Sequence, residues 1–278
     1  MATTIDQAFI KQFEREVHEA YQRQGSKLRN TVRSVNNVKG ASAVFQKVGK
    51  GTASTKSTHG MVPVMNLTHS NVECVLQDFY AGDWVDRLDE LKTNIPERQV
   101  IAGAGAYALG RKTDEMIINA LSAASAHTIV DNNIGLTKAK ILSAFETFGQ
   151  NDIPDDAQRY AVVGWKQWSE LLAIEEFSSS EFIGQGALPY STATQAKSWL
   201  GTIWMPHSGL PIDSNDIRKC FFYHKTAVGH ASGSDVQSDI TWHGDRAAHF
   251  VNNMMSQGSV LIDSAGVVVI NCDETPDA

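Results

Sequence analysis

The sequence predicts an α+β chain organised around one long helix, and three observations carry that expectation. Residues 96–126 contain a proline at the first position and none afterwards, with apolar and small residues three and four apart. Short runs rich in Val, Ile and Phe precede and follow this stretch rather than alternating with it. Residues 49–60 are polar and hold no aliphatic side chain larger than alanine, between two strand-like runs.

The long helix is read from Pro96 to Ala126. Pro96 suits a first helical turn, where a missing N–H costs nothing. Val100, Gly103, Ala104, Tyr107, Ala108 and Arg111 form a side made mostly of small residues, on which another backbone could lie close. Ile117, Ala120, Leu121 and Ala124 continue an apolar face. An unbroken helix over this range is about 45 Å long.

Upstream, Thr4–Gln7 reads as a capping box, and Ile5, Phe9, Phe13, Val17 and Tyr21 recur every fourth residue up to a stop at Gly25. This predicts an amphipathic helix whose apolar stripe needs a partner. Val44–Val48, Met61–Met65 and Val72–Tyr80 are strand candidates, with Pro63 confining its strand to an edge. Together they describe a two-stranded excursion with a polar tip, which is marginal in water by itself. Downstream, Thr137–Phe148 reads as a helix stopped by Gly149, Asn151–Asp156 as a loop, Arg159–Val163 as a strand and Trp165–Ala173 as a helix. Residues 178–201 are loop-rich. Trp199–Met205, Cys220–Gly229, Phe250–Met255, Val260–Asp263 and Val267–Ile270 read as strands, with a turn at Asp263–Gly266 and a polar, partly exposed run over Asp235–Trp242.

The chain has 278 residues, of which 42% are hydrophobic, enough for one large or two modest domains with a packed core. Cys74, Cys220 and Cys272 are too scattered for a disulfide framework and are expected to be buried thiols. No basic-then-apolar leader and no membrane-length apolar run are present, so a soluble protein made in a cytoplasm is expected. The net charge of −7 is unevenly placed: residues 1–60 carry ten Lys/Arg against four Asp/Glu. A basic arm on an acidic body predicts pairing between copies of the chain. Nucleic acid is the rival partner, but the arm lacks the interleaved aromatics of a base-stacking site.

Several stretches imitate catalytic motifs. Gly103–Ala108 fits the dinucleotide pattern Gly-x-Gly-x-x-Ala but follows Pro-Glu-Arg instead of a strand. Gly105–Thr113 is one residue from a phosphate-binding loop, with Arg111 displacing Lys112. His224 and His230 are six apart, as are His243 and His249, and neither spacing suits a zinc site. Hydrogen-bonded or surface histidines are the simpler expectation. No catalytic residue, cofactor or metal is assigned.

The stretch Asp86-Arg-Leu-Asp-Glu-Leu-Lys92, a short break, and an Ala/Gly-rich helix ending Asp114-Glu-Met-Ile-Ile-Asn-Ala-Leu121 resembles the spine helix of tailed-phage major capsid proteins of the Hong Kong 97 type. Pro154–Leu172, His224–Gly229 and Gly258–Ile270 resemble later parts of the same family, in the same order, and the short-tailed phage branch is the nearest in pattern. The resemblance implies an N-terminal arm (1–39), an extended loop (40–82), a peripheral domain with the spine helix (83–150), an axial domain (151–245) and C-terminal strands returning to the peripheral domain (246–278). It implies a non-enzymatic subunit, made in the bacterial host cytoplasm, that self-assembles from hexamers and pentamers into an icosahedral shell around double-stranded DNA. It further implies a portal and a scaffolding protein or its equivalent as partners. Residues expected at subunit interfaces are Ile5, Phe9, Phe13, Val17 and Tyr21 of the arm, Lys47, Lys50 and Lys56 of the loop, Asp86, Asp89 and Glu90 of the acidic run, and Gly103. Two other readings compete: an encapsulin-like compartment, and a nucleotide-binding enzyme using Gly103–Thr113.

Overall fold

A computed structural model describes residues 25–88, 97–178 and 196–275. The chain divides into two compact units. The larger comprises Ser26–Gln77, Lys112–Ser234 and Ser256–Ala278, and the smaller Met1–Gly25, Asp78–Arg111 and Asp235–Met255.

The larger unit is built on a six-stranded mixed sheet. Its strands are β5 (Thr128–Ile129), β6 (Arg159–Val163), β7 (Lys197–Trp199), β8 (Thr202–Pro206), β9 (Ile217–His224) and β12 (Val267–Asp273), in the order β5-β12-β9-β6-β8-β7. The order follows from burial. Cys220 through His224 of β9 are all buried, so both faces of this strand are covered and it sits inside the sheet. Helices α2 (Lys138–Gln150) and α3 (Trp165–Ala173) supply part of the cover. Phe148 meets Phe222 at a ring distance of 4.6 Å, and Trp204 extends the cluster to Phe222 at 6.0 Å. A short α4 (Glu175–Ser178) brings in Phe177, which stands edge-on to Trp168 and Trp199.

One buried cation ties this core together. Lys140 is 6% exposed, and its Nζ donates to the carbonyls of Asp131, Ile134 and Asn271 at 2.7, 2.7 and 3.0 Å. All three ammonium protons are thereby satisfied, and α2, the preceding loop and β12 are joined at one point.

The same unit holds the two-stranded ladder of β2 (Ser42–Val48) and β3 (His69–Val75), antiparallel with Ser42 opposite Val75 and Val48 opposite His69. Phe45 and Cys74 point inward and form a second, small core with Ala231 and Ile262. Gly229 makes this possible: a Cβ there would lie 2.7 Å from the Phe45 ring. The ladder ends where Gly49 N–H donates to Thr68 O, and residues 50–68 form no strand. The Met61–Met65 strand expected from sequence is therefore absent; Pro63 lacks a ladder donor, and no strand among the described residues pairs with the segment.

A four-stranded sheet in the order β1-β10-β11-β4 contains β1 (Arg33–Asn36), β4 (Gln77–Asp86), β10 (Val228–His243) and β11 (Ala248–Leu261). Val72–Tyr80, read as one strand, is broken at Leu76, whose N–H turns to Ala41 O. Cys220–Gly229 is likewise divided by a 3-10 turn at Lys225–Ala227, capped by the His224 side chain. Trp199–Met205 breaks at Leu200 and Gly201, both with positive φ. Phe250–Met255 and Val260–Asp263 merge into the single strand β11.

The long helix α1 covers Glu97–Ser122. Pro96 lies outside the described residues. The helix ends four residues before Ala126, where the Ser122 hydroxyl donates back to Ile118 O at 2.8 Å. Helix α2 runs through Gly149 instead of stopping there; the left-handed residue that ends the turn is Asp152, with φ 55°. Within the smaller unit the close approach along α1 falls at Gly105. A Cβ there would strike the Asn253 amide and lie 3.2 Å from Ala81 O. Asn253 cannot step aside freely, because its Nδ2 donates to Ala81 O at 3.1 Å and its Oδ1 accepts from Ser238. At Gly103 an added Cβ meets nothing within 4 Å.

Three stability outcomes follow from these contacts. Gly105→Val should lower stability by roughly 2–4 kcal/mol through overpacking against a held amide. Gly103→Ala should be neutral or stabilising by up to about 1 kcal/mol, because it removes a helix-interior glycine into open space. Lys140→Met should cost about 2–4 kcal/mol, since three carbonyls lose their donor together. Urea unfolding of the purified chain, followed by far-UV circular dichroism, gives all three values.

Candidate assembly surfaces

The residues singled out from sequence fall in three places. Ile5, Phe9, Phe13, Val17 and Tyr21, together with Asp89 and Glu90, lie outside the described residues. Asp86 closes β4, where its Oδ1 accepts the Leu88 N–H at 2.7 Å. Gly103 sits inside α1 with no neighbour at its Cβ position. The loop lysines separate from one another. Lys47 reaches Asp263 of its own chain at 2.8 Å and Lys50 reaches Asp152 at 2.9 Å, while Lys56 is exposed near the tip. Both ion pairs are solvent-accessible, so neither contributes much to stability.

Residues 49–68 are exposed along almost their whole length. Within them, Met61 is 95%, Val62 73% and Val64 79% exposed. Periodicity shows the apolar character of this run but carries no information on whether anything in the same chain covers it. That is why the sequence reading put a strand here and placed the emphasis on the lysines.

A second feature was not visible in sequence. Asp114, on α1, is fully buried and collects four donors. The Ser26 hydroxyl lies 2.5 Å and the Leu28 N–H 3.0 Å from its Oδ1, the Lys27 N–H is shared between both oxygens, and His207 Nε2 is 3.1 Å from Oδ2. His207 Nδ1 accepts from Gly209 N–H at 3.0 Å, so the proton is on Nε2 and is donated to the carboxylate. Residues 26–28 follow the amino-terminal segment directly, and Leu28 and Val32 are buried just beyond them. The carboxylate thus pins the first stretch of the larger unit. Only an acidic residue amid the Ile117–Leu121 face marked it in sequence, and its partners lie some ninety residues away on either side.

The stretches that imitate catalytic motifs take ordinary structural places. Gly103 through Thr113 lie in the interior of a continuous helix, so their N–H groups are committed to the preceding turn and are not free to cradle a phosphate. Lys112 pairs with Glu115 at 2.7 Å. His224 bonds Asp156 and Thr226, and His230 bonds Ser259. All three cysteines are buried and unbridged.

Burial works to raise the Asp114 pKa, but His207, Ser26 and the Leu28 and Lys27 N–H groups outweigh it and hold the value below the ordinary carboxylate. A depressed folded-state value stabilises above the unfolded pKa and is lost as pH falls through the folded one. Acid unfolding should therefore lose this contribution only below about pH 4. Asp114→Asn should remove roughly 3–5 kcal/mol at neutral pH, leaving buried donors without their charge. It should also flatten the acid limb of a pH titration of the melting temperature.

Comparison with known proteins gives the family. A model of the phage capsid protein family matches residues 5–274. No curated protein matches the sequence. Among solved structures, a chain from Mycobacterium phage Che8 superposes with a TM-score of 0.73 at 17% identity, over 95% of this chain and 97% of that one. The capsid of cyanophage P-SCSP1u gives 0.75 at 18% identity, over 96% and 94%. The head of Helicobacter pylori bacteriophage KHP40 gives 0.75 at 11% identity, over 94% of each chain. The helix-and-sheet architecture expected from the resemblance is thus shared across phage shells of low sequence identity, and the chain belongs to the phage capsid protein family, as a major capsid protein with the Hong Kong 97-type fold.

Proposed function

We propose that this subunit joins its neighbours chiefly through two parts that carry no core of their own: the amino-terminal arm and the extended loop. The observation that supports this reading is the exposure of residues 49–68. A two-stranded excursion of this length with a bare tip gains nothing from standing in water. In a shell, where each surface repeats in every copy, the natural cover for it is another subunit. The arm's stripe of Ile5, Phe9, Phe13, Val17 and Tyr21 asks for a partner in the same way.

Lys47 and Lys50 already have acids on their own chain. Any charge pairing between copies therefore falls to Lys56, facing the run that holds Asp86, Asp89 and Glu90. Further partners in this reading are a portal at one vertex, a scaffolding protein or its equivalent, and double-stranded DNA met by non-specific contact with the basic segment. Synthesis takes place in the host cytoplasm. The domain boundaries expected from sequence belong to the same proposal.

Removing residues 1–24 should leave a soluble body with an unchanged melting temperature that fails to give closed shells. Electron microscopy and sedimentation velocity of the truncated chain read both properties. Normal particles from it would overturn the role given to the arm.

A further inference from the structure

Two cations of the larger unit stand apart from the rest. Lys47, Lys50, Lys112, Lys138 and Arg218 each hold a carboxylate. Arg33 and Lys225 hold none among the described residues, and both line one hollow of about 470 Å³. Asn30, Ser34, Gln158 and Thr226 complete its polar lining, together with the buried Val32.

The topology brings these residues together from three distant segments. β1 runs parallel to β10 with Arg33 opposite Gly229, and Lys225 opens the 3-10 turn that leads into β10. The Lys225 N–H donates to Gln158 O at 3.0 Å, which ties that turn to the residue before β6. Arg33 is held in place from behind: its guanidinium carbon lies 5.6 Å from the centroid of the buried Phe45 ring.

The acids on the adjoining segments are engaged elsewhere. Asp156 Oδ1 accepts the Gln158 N–H and lies 3.0 Å from His224 Nε2. Asp263, whose N–H donates to Ala227 O, is paired with Lys47. No carboxylate is among the lining residues, so two positive charges converge on the hollow without a counter-charge. A guanidinium offers a planar fork of N–H donors that matches the oxygens of a phosphate, and an ammonium adds a point charge beside it. The amides of Asn30 and Gln158 are further donors. No aromatic ring lines the hollow, so it has no platform on which a base could stack, and the recognised part is the phosphate itself.

We propose that the hollow between β1 and the Lys225 turn binds a phosphate group, with Arg33 and Lys225 as its two cationic contacts. The group is either free phosphate or a phosphodiester of a nucleic-acid backbone, since both present the same oxygens. The inference goes beyond the shell reading and does not depend on it.

The test compares the full-length chain with the double variant Arg33→Gln and Lys225→Gln. A charge-matched control carries Lys50→Gln and Lys56→Gln. Isothermal titration calorimetry with sodium phosphate in low-salt buffer should give one site per chain, with sodium acetate binding far more weakly. The double variant should lose about tenfold or more in phosphate affinity and the control less than twofold. Both should melt like the parent, because Arg33 is exposed and Lys225 is half-buried. The swapped pair Arg33→Lys with Lys225→Arg keeps both charges and should retain most of the affinity.

Fluorescence anisotropy with a short DNA duplex separates the two sources. Each phosphate contact contributes about 0.9 to the slope of log affinity against log salt. A slope lowered by roughly 2 in the double variant, and unchanged in the control, assigns the hollow to the backbone. Phosphate binding lost with an unchanged slope assigns it to free phosphate. If neither effect is seen, or if the control pair loses as much as the double variant, the site is overturned. A swapped pair that binds no better than the double glutamine variant overturns it as well.

Discussion

The larger unit depends on one strand being buried on both sides. From Cys220 to His224, β9 presents no residue to water. Such a strand cannot lie at an edge or under open solvent, so neighbours must flank it and side chains must cover each face. β12 and β6 flank it, and Phe148, Trp204 and their aromatic partners cover it. The buried Lys140 follows from the same demand. Packing α2 and its leading loop against β12 strands three carbonyls away from water, and one ammonium satisfies all of them.

Set against this core, the loop is the opposite kind of structure. Phe45 and Cys74 anchor its base, and past Gly49 it offers little apolar surface to its own chain. Its stability must be local and low, and binding is what can order such an element. The division of labour fits a shell subunit. In the proposed reading, the packed body keeps the repeated geometry constant and the arm and loop supply the contacts between copies.

Much of the fold was legible in the sequence because it was written as local periodicity. Trp165–Ala173 and Arg159–Val163 appear with the bounds read from the sequence, and the helix read from Thr137 begins one residue later, with Thr137 as its cap. What failed were places where tertiary partners decide. Met61–Met65 has strand composition but no strand to pair with. Gly149 looks like a helix stop, yet Asp152 takes the left-handed conformation instead. The small face of α1 was read along Val100, Gly103, Ala104, Tyr107, Ala108 and Arg111, and composition could not say which glycine of the helix met a neighbour. Gly105 does, through Ala81 and Asn253, and Gly103 does not. Asp114 was illegible for the same reason, because its meaning lies in Ser26 and His207, far off in the chain.

The charge pattern shows most clearly why composition alone misplaces an interface. The basic run over residues 23–56 looked like an electrostatic arm seeking an acidic surface elsewhere. Two of its lysines instead spend their charge on Asp263 and Asp152 of the same chain, in exposed pairs that contribute little to stability. In the proposed reading, the energy of a contact between copies comes instead from apolar, uncovered surface, for which the hydrophobic effect is not weakened by salt. Among the described residues of this loop, such side chains are Met61, Val62 and Val64 near the tip and Val44, Val48 and Val75 on the ladder.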